Sequence, residues 1–276
     1  MQVHSVISNT ISEEILTSGH LSIRFLPDGF SVLLEDSSFQ PVILNRFYET
    51  PGMTLKSLVP ACEDWLQRHT LTDGFRGEVS ITVGTAPATL VPTELFSRED
   101  PAQYLSPVTR VLPSDTVLYK EIRQRPVVMV FAIPAAVMEL AEKFNGQVRI
   151  MPVAEVMISV AEQVNAADHQ RGFILIEYQQ GTMELLLVRE DRVMLVNKFI
   201  LKEAAQMVYH TLNTIQQMGF DRQNRPLFYA GQPPAEVIDT LKKYVRQVRP
   251  LSYHINRIEK SAIAEHIVLA EATKCE

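Results

Sequence analysis

One order of elements runs through this chain twice, and that repetition limits what it can fold into more than any single motif does. In the first pass, residues 21–26 alternate apolar and polar, Pro27-Asp28-Gly29 supplies a turn, and residues 30–34 resume the alternation, the signature of a hairpin. A third β-type run follows at 41–47. Leu55, Leu58, Val59, Cys62, Trp65 and Leu66 then recur at helical spacing, and residues 78–83 form another strand closed by Gly84. The second pass repeats the order: runs at 173–178, 183–189 and 193–200, a helical face of Ala204, Val208, Leu212 and Ile215, and an apolar stretch at 227–230 closed by Gly231. Matched turn glycines lie 147 residues apart (Gly84 and Gly231) and 152 apart (Gly29 and Gly181). A near-constant offset over several elements is what a duplicated unit predicts.

Between the repeats, residues 116–122 and 126–133 read as two further strands. Pro134 opens a helix with Ala135, Met138, Leu140 and Phe144 available for its buried side, residues 147–151 form a short strand, and Pro152 opens a second helix through Val164. Residues 165–172 are the expected hinge. The chain of 276 residues exceeds the ordinary single-domain size of roughly 100–200. The expected organisation is therefore a first lobe at 1–168 carrying an inserted subdomain, and a second lobe at 169–276.

The formal net charge of -6 and pI near 5.7 lack the concentrated positive charge that nucleic acid or anionic membrane requires. Cys62 and Cys275 have no metal-type spacing and fit free thiols in a reducing compartment, with Cys62 packed in the core. The N-terminal residues show no basic region followed by an apolar run, and no apolar stretch is long enough to span a bilayer, so the chain is expected to be cytoplasmic and not inserted in a membrane. There is no H-E-x-x-H pair and no G-x-S-x-G elbow, so neither a metal nor a hydrolase is expected, and His266 reads as a surface residue. Lys242, Arg246 and Arg249 share one face if the preceding helix extends that far, a solvated face or an anion or partner contact. Residues 85–104, with Pro87, Pro92 and Pro101, are long for a connection and read either as a partner-docking surface or as an extended strap.

Three antiparallel strands, a helix, then strand and helix, given twice, resembles the duplicated ribonuclease-H-like plan of actin-like ATPases, an α/β fold of two lobes with mixed sheets and flanking helices. Residues 173–193 carry the resemblance most specifically. They look like a second phosphate loop, with Glu177 and Glu184 at the acidic positions and a turn that keeps Gly181 and Thr182 beside Gln180. The resemblance places the adenosine-contacting strand end on Tyr229-Ala230-Gly231 and the first phosphate loop on residues 25–30, including Asp28 and Gly29, where the acidic strand residue is missing. Bulky Gln179 and Gln180 replace glycines whose backbone N–H groups would close on phosphate oxygens, and Mg²⁺-assisted phosphoryl transfer needs a nearby carboxylate.

Overall the chain is similar to an uncharacterised bacterial family with an actin-like ATPase fold and, more distantly, to the cytoplasmic actin-like proteins of type IV pilus and type II secretion platforms. The resemblance implies a non-enzymatic scaffold that docks a protein partner with no required cofactor. The alternatives are a weak binder of ATP and Mg²⁺, with Glu177, Gly181, Thr182, Glu184 and Gly231 lining the cleft, and a small-molecule kinase of the same superfamily.

Overall fold

The computed structural model describes residues 2–48, 54–107, 109–122, 125–168, 172–179, 181–190, 192–251 and 266–275, with the side chains of 165–168 outside the description. Its contacts divide into two compact units: Met1–Glu155 with Ala272–Lys274, and Val156–Glu271 with Cys275. The division falls inside a helix, not at residue 168.

The first unit contains β1 (Gln2–Ser8), α1 (Glu13–Ser18), β2 (His20–Leu26), β3 (Gly29–Glu35), β4 (Pro41–Tyr48), α2 (Leu55–Arg68), β5 (Glu78–Val83), β6 (Ala88–Pro92), β7 (Asp115–Glu121), β8 (Val127–Pro134), α3 (Ala135–Ala141) and β9 (Val148–Pro152). A six-stranded sheet runs β1-β4-β3-β2-β5-β9, and a smaller sheet runs β6-β8-β7. α4 (Val153–Asp168) starts in this unit and continues into the second, which adds β10 (Gly172–Gln179), β11 (Thr182–Arg189), β12 (Arg192–Ile200), α5 (Ala205–Gln217), β13 (Leu227–Gly231), α6 (Ala235–Lys242), β14 (Val248–Pro250) and α7 (Ile267–Ala272). Its sheet runs β12-β11-β10-β13-β14. Apart from β1, the two large sheets share one order, and in each a central strand pairs antiparallel with its hairpin partner and parallel with the strand after the helix.

The alternation read from the sequence explains why β2 is central in the first unit. Leu21, Ile23 and Phe25 share a face with Phe30, Val32, Leu34, Val79, Ile81 and Val83 through their register, and all are buried. The apolar stripe of α2, Leu58, Val59, Cys62, Trp65 and Leu66, covers this face: Phe47 stacks on Phe30 at 4.4 Å and meets Trp65 edge-on at 5.5 Å. Thr54 and Ser57 start the helix with reciprocal capping bonds. Cys62 is wholly buried, and burial pushes its thiol far above the ordinary range, which fits the expected packing role. The opposite face is polar, carrying Ser22, Arg24, Ser31, Ser80 and Thr82. The end of the chain lies on it: Ser80 Oγ donates to Ala272 O at 3.2 Å, and Arg149 donates to Thr273 O at 3.1 Å.

In the second unit, Ile174, Ile176, Met183, Leu185 and Leu187 form the apolar core together with Met207 and Ile215 of α5 and Val237, Ile238 and Leu241 of α6.

Several elements depart from the sequence reading. β1 and α1 occupy a lead-in that gave no periodic signal. Within 85–104, residues 88–92 form β6 on the edge of the small sheet, where Pro92 lies at the strand end and Pro87 just before it, positions at which a missing donor is tolerated. α4 runs through Asp168, so 165–168 are helical and not a hinge, consistent with the helix propensity of Ala166 and Ala167. Residues 169–171 lie outside the described residues. α6 ends at Lys242 and Arg249 is on β14, so the supposed basic face does not form. His266, expected at the surface, is half-buried and precedes α7.

Ile23→Ala, at the centre of β2, is expected to lower the unfolding free energy by about 2–5 kcal/mol. Urea denaturation followed by circular dichroism measures this.

Candidate functional site

The loops that the sequence marked as phosphate loops lie at the hairpins of the central strands. In the first unit the turn is Pro27-Asp28, closed by the Leu26–Gly29 pair. Gly29 has φ +147, and a Cβ there would meet Phe47 O at 1.9 Å and Arg46 Nη1 at 2.9 Å, so β4 and its arginine fill the space beside the turn. Arg46 is 4% exposed. Its guanidinium donates to Phe47 O at 2.7 Å and Phe30 O at 3.1 Å, pairs with the Asp28 carboxylate, and lies 4.5 Å from the Tyr48 ring centroid. Burial lowers its pKa while Asp28 opposes that shift. The acid of the turn is thus directed at a protein cation.

The second hairpin is closed by the Gln179–Thr182 pair, with Gly181 in the turn at φ +83 and Gln180 outside the described residues. Glu177 and Glu184 face each other across β10 and β11, and both are buried. Gln179 Nε2 donates to Glu177 Oε1 at 2.8 Å, and Lys198 of β12 lies opposite Glu184. On the other side β13 pairs Ala230 with Glu177 and Gly231 with Tyr178. A Cβ on Gly231 would come within 1.9 Å of Tyr178 O, and φ is +82, so close backbone packing requires this glycine whether or not a nucleotide is bound.

Of the candidates from the sequence, Glu177, Gly181, Thr182, Glu184 and Gly231 converge on the β10, β11 and β13 ends of the second unit, while Asp28 and Gly29 form a separate turn in the first. The registers also correct the match of Gly29 with Gly181. Both hairpins superpose at an offset of 153 residues (Leu26 with Gln179, Gly29 with Thr182), so Gly181 matches Asp28. The glycines were matched by type, but one lies in a turn and the other opens a strand. At the same offset Arg24 holds the place of Glu177, and Ser31 that of Glu184. A buried arginine therefore stands where the second unit has its central acid. Sequence reasoning missed Arg24 and Arg46; both stand on the polar face of the sheet opposite and beside Ser31, and the sequence carried no signal that this face is buried. Among the described residues no cluster of three or more His, Cys, Asp or Glu is placed to hold a metal ion.

The first unit also carries a groove of about 890 Å³. Its apolar lining comes from Leu26 and Pro27 of the first turn, Leu55, Leu58 and Val59 of α2, Ala86 and Pro87, Ala132, and Ala135, Ala136 and Leu140 of α3, with Leu112 from the connection before β7. Lys56, Arg110, Asp115 and Glu139 add polar edges, and the ion pair of Lys143 with Glu63 joins the α3 side to α2.

Residues 8–248 match the family described as "Protein of unknown function (DUF3822)". The chain belongs to DUF3822. A DUF3822 chain of this geometry has an actin-like ATPase fold. It is similar to a Bacteroides thetaiotaomicron protein with actin-like ATPase fold and unknown function, at TM-score 0.81 and 17% identity, over 97% of this chain and 100% of that one. It is similar to the PilM–PilN type IV pilus biogenesis complex at TM-score 0.59 and 13% identity, covering 94% and 99%. It also resembles the cytoplasmic domain of EpsL, an inner membrane component of the type II secretion system of Vibrio cholerae, at TM-score 0.50 and 10% identity, covering 94% and 96%. No curated protein matches the DUF3822 chain. Among the described residues no helix is long and apolar enough to cross a membrane.

Asp28→Ala leaves the Arg46 guanidinium without its carboxylate and is expected to lower stability by about 2 kcal/mol. Urea unfolding of the variant checks this, and unchanged stability would show that the pair does not organise the turn.

Proposed function

We propose that this protein is a non-enzymatic, partner-binding member of the actin-like fold, a pseudo-ATPase arising from a duplicated unit and working in the cytoplasm. The observation that carries the reading is Arg46. Its guanidinium is committed to the Asp28 carboxylate of the first turn and to the carbonyls of Phe30 on β3 and Phe47 on β4, and a phosphate there would have to displace an ion pair with several hydrogen bonds. Arg24 at the acidic strand position supports the same conclusion, because an arginine cannot serve as a Mg²⁺ ligand. Cys62 and Cys275, both buried and in no disulfide, fit a reducing compartment.

The surface best suited to a partner is the groove of the first unit. It is apolar along its floor, polar at its rim, and large enough for several side chains of an extended segment. Two of the similar structures, PilM–PilN and EpsL, are named as a complex and as a component of a secretion system, which supports a docking role.

A second reading rests on the second hairpin. Glu177, Thr182 and Glu184 lie side by side there, and a Cβ on Gly181 would meet no protein atom nearer than 4.0 Å, which leaves room at the turn for a weakly held nucleotide. In this reading Mg²⁺ and ATP would bind without efficient turnover.

Phosphate release from Mg·ATP is expected to equal the protein-free background for both the wild type and Glu177→Gln. Turnover that Glu177→Gln removes would overturn the non-enzymatic reading. For the groove, Ala136→Trp is expected to keep the native circular dichroism spectrum but lose protein partners that co-purify with the tagged wild type. An identical set of co-purifying proteins for both would exclude the groove as the docking site.

A further inference from the structure

His20 opens β2 between Glu35 of β3 and Glu78 of β5, its direct partners in the sheet. Its ring stacks on Phe39 at 4.2 Å. Nδ1 is buried, lies 3.8 Å from Glu78 Oε2, and has no hydrogen-bond partner among the described residues. The same Glu78 oxygen accepts from Arg149 Nη2 at 2.8 Å, and that nitrogen also donates to Thr273 O at 3.1 Å. Thr273 Oγ1 donates to Glu35 Oε2 at 3.5 Å, and Lys274 Nζ lies 6.0 Å from the Phe39 ring centroid. The end of the chain thus rests on a cluster with His20 at its centre. None of these groups belongs to the first turn, the second hairpin or the groove.

We propose that His20 is a proton switch for the end of the chain: neutral, it leaves Glu78 to Arg149 and Arg149 to the Thr273 carbonyl; protonated, it takes Glu78 and releases residues 272–275 from the sheet. An imidazolium Nδ1–H is a donor, and closing 3.8 Å to the roughly 2.8 Å of a charge-assisted bond draws on the oxygen that positions Arg149. The new cation also stands near Arg149 and, across the Phe39 ring, near Lys274. Undocking carries Lys274 into solvent and hydrates the imidazolium, whereas Glu35, Asp36 and Glu78 stay on the sheet and favour the imidazolium in both states.

Burial lowers the pKa of His20 from its ordinary 6.5; Glu78 opposes that shift, Arg149 adds to it and Asp36 opposes it. A histidine whose pKa is lower in the docked state binds its proton better in the undocked one. Docking is therefore complete above 6.5 and is lost as the pH falls below that value.

Cys275, 4% exposed at the end of the segment, reports its release. The full chain is pulsed with dithiodipyridine, and labelled Cys275 is quantified by mass spectrometry relative to the urea-unfolded chain at the same pH. The expected result is roughly tenfold faster relative labelling at about pH 5 than at about pH 7.5. His20→Gln cannot take the proton and should label slowly at both. Lys274→Gln removes the cation that the imidazolium repels and should shrink the acid effect. Circular dichroism at both pH values verifies that each variant keeps its fold. Equal relative labelling of the wild type at the two pH values overturns the proposal. So does an acid effect that persists in His20→Gln, which would assign the response to another group such as His266, or one left at full size in Lys274→Gln.

Discussion

A guanidinium inside a sheet must find acceptors there, and Arg46 takes its acceptors from the first hairpin turn and the strands beside it. That one demand fixes much of the first unit. It sets the Asp28 carboxylate against β4 and permits only glycine at position 29, where any Cβ would run into Phe47 O. It also places the turn's charge and hydrogen bonds within the protein. Arg24, on β2 across β3 from Arg46, adds a second buried cation where the matched position of the other unit holds an acid. Breaking such a pair by removing one partner costs far more than the pair contributes in net terms, so the arrangement resists conversion into an open anion site.

The two units therefore share a sheet plan but not a chemistry. The second keeps a paired-carboxylate hairpin, Glu177 opposite Glu184, with Gln179 donating to Glu177 and Gly231 packed against Tyr178 O. The first has a hairpin of the same register but holds Arg24 and Ser31 at the matched positions. Its apolar groove is lined in part by the same turn, through Leu26 and Pro27. The turn held by Arg46 and Asp28 thus stands beside the groove.

The fold was legible wherever periodicity was strong: the hairpins at 21–34 and 173–189 and the stripe of α2 stand within a residue or two of where alternation and helical spacing put them. β1 and α1 were not legible, because an exposed edge strand and a six-residue helix leave no buried periodic face. β6 was hidden by flanking prolines. The site was legible in part. Glycines and acids marked the second hairpin, but Arg46 and Arg24 read as ordinary strand charges, since only the structure shows that both are buried and that Arg46 meets the turn. The groove itself was not legible in the sequence because its lining comes from five segments that meet only in the fold.

Isothermal titration with Mg·ATP, run on the wild type and on Gly181→Trp, tests the central claim most directly. A first turn filled by the protein's own arginine predicts no saturable heat at millimolar nucleotide in either protein. Saturable binding by the wild type that Gly181→Trp abolishes, with its fold intact, would contradict the account and place nucleotide at the Glu177–Glu184 hairpin.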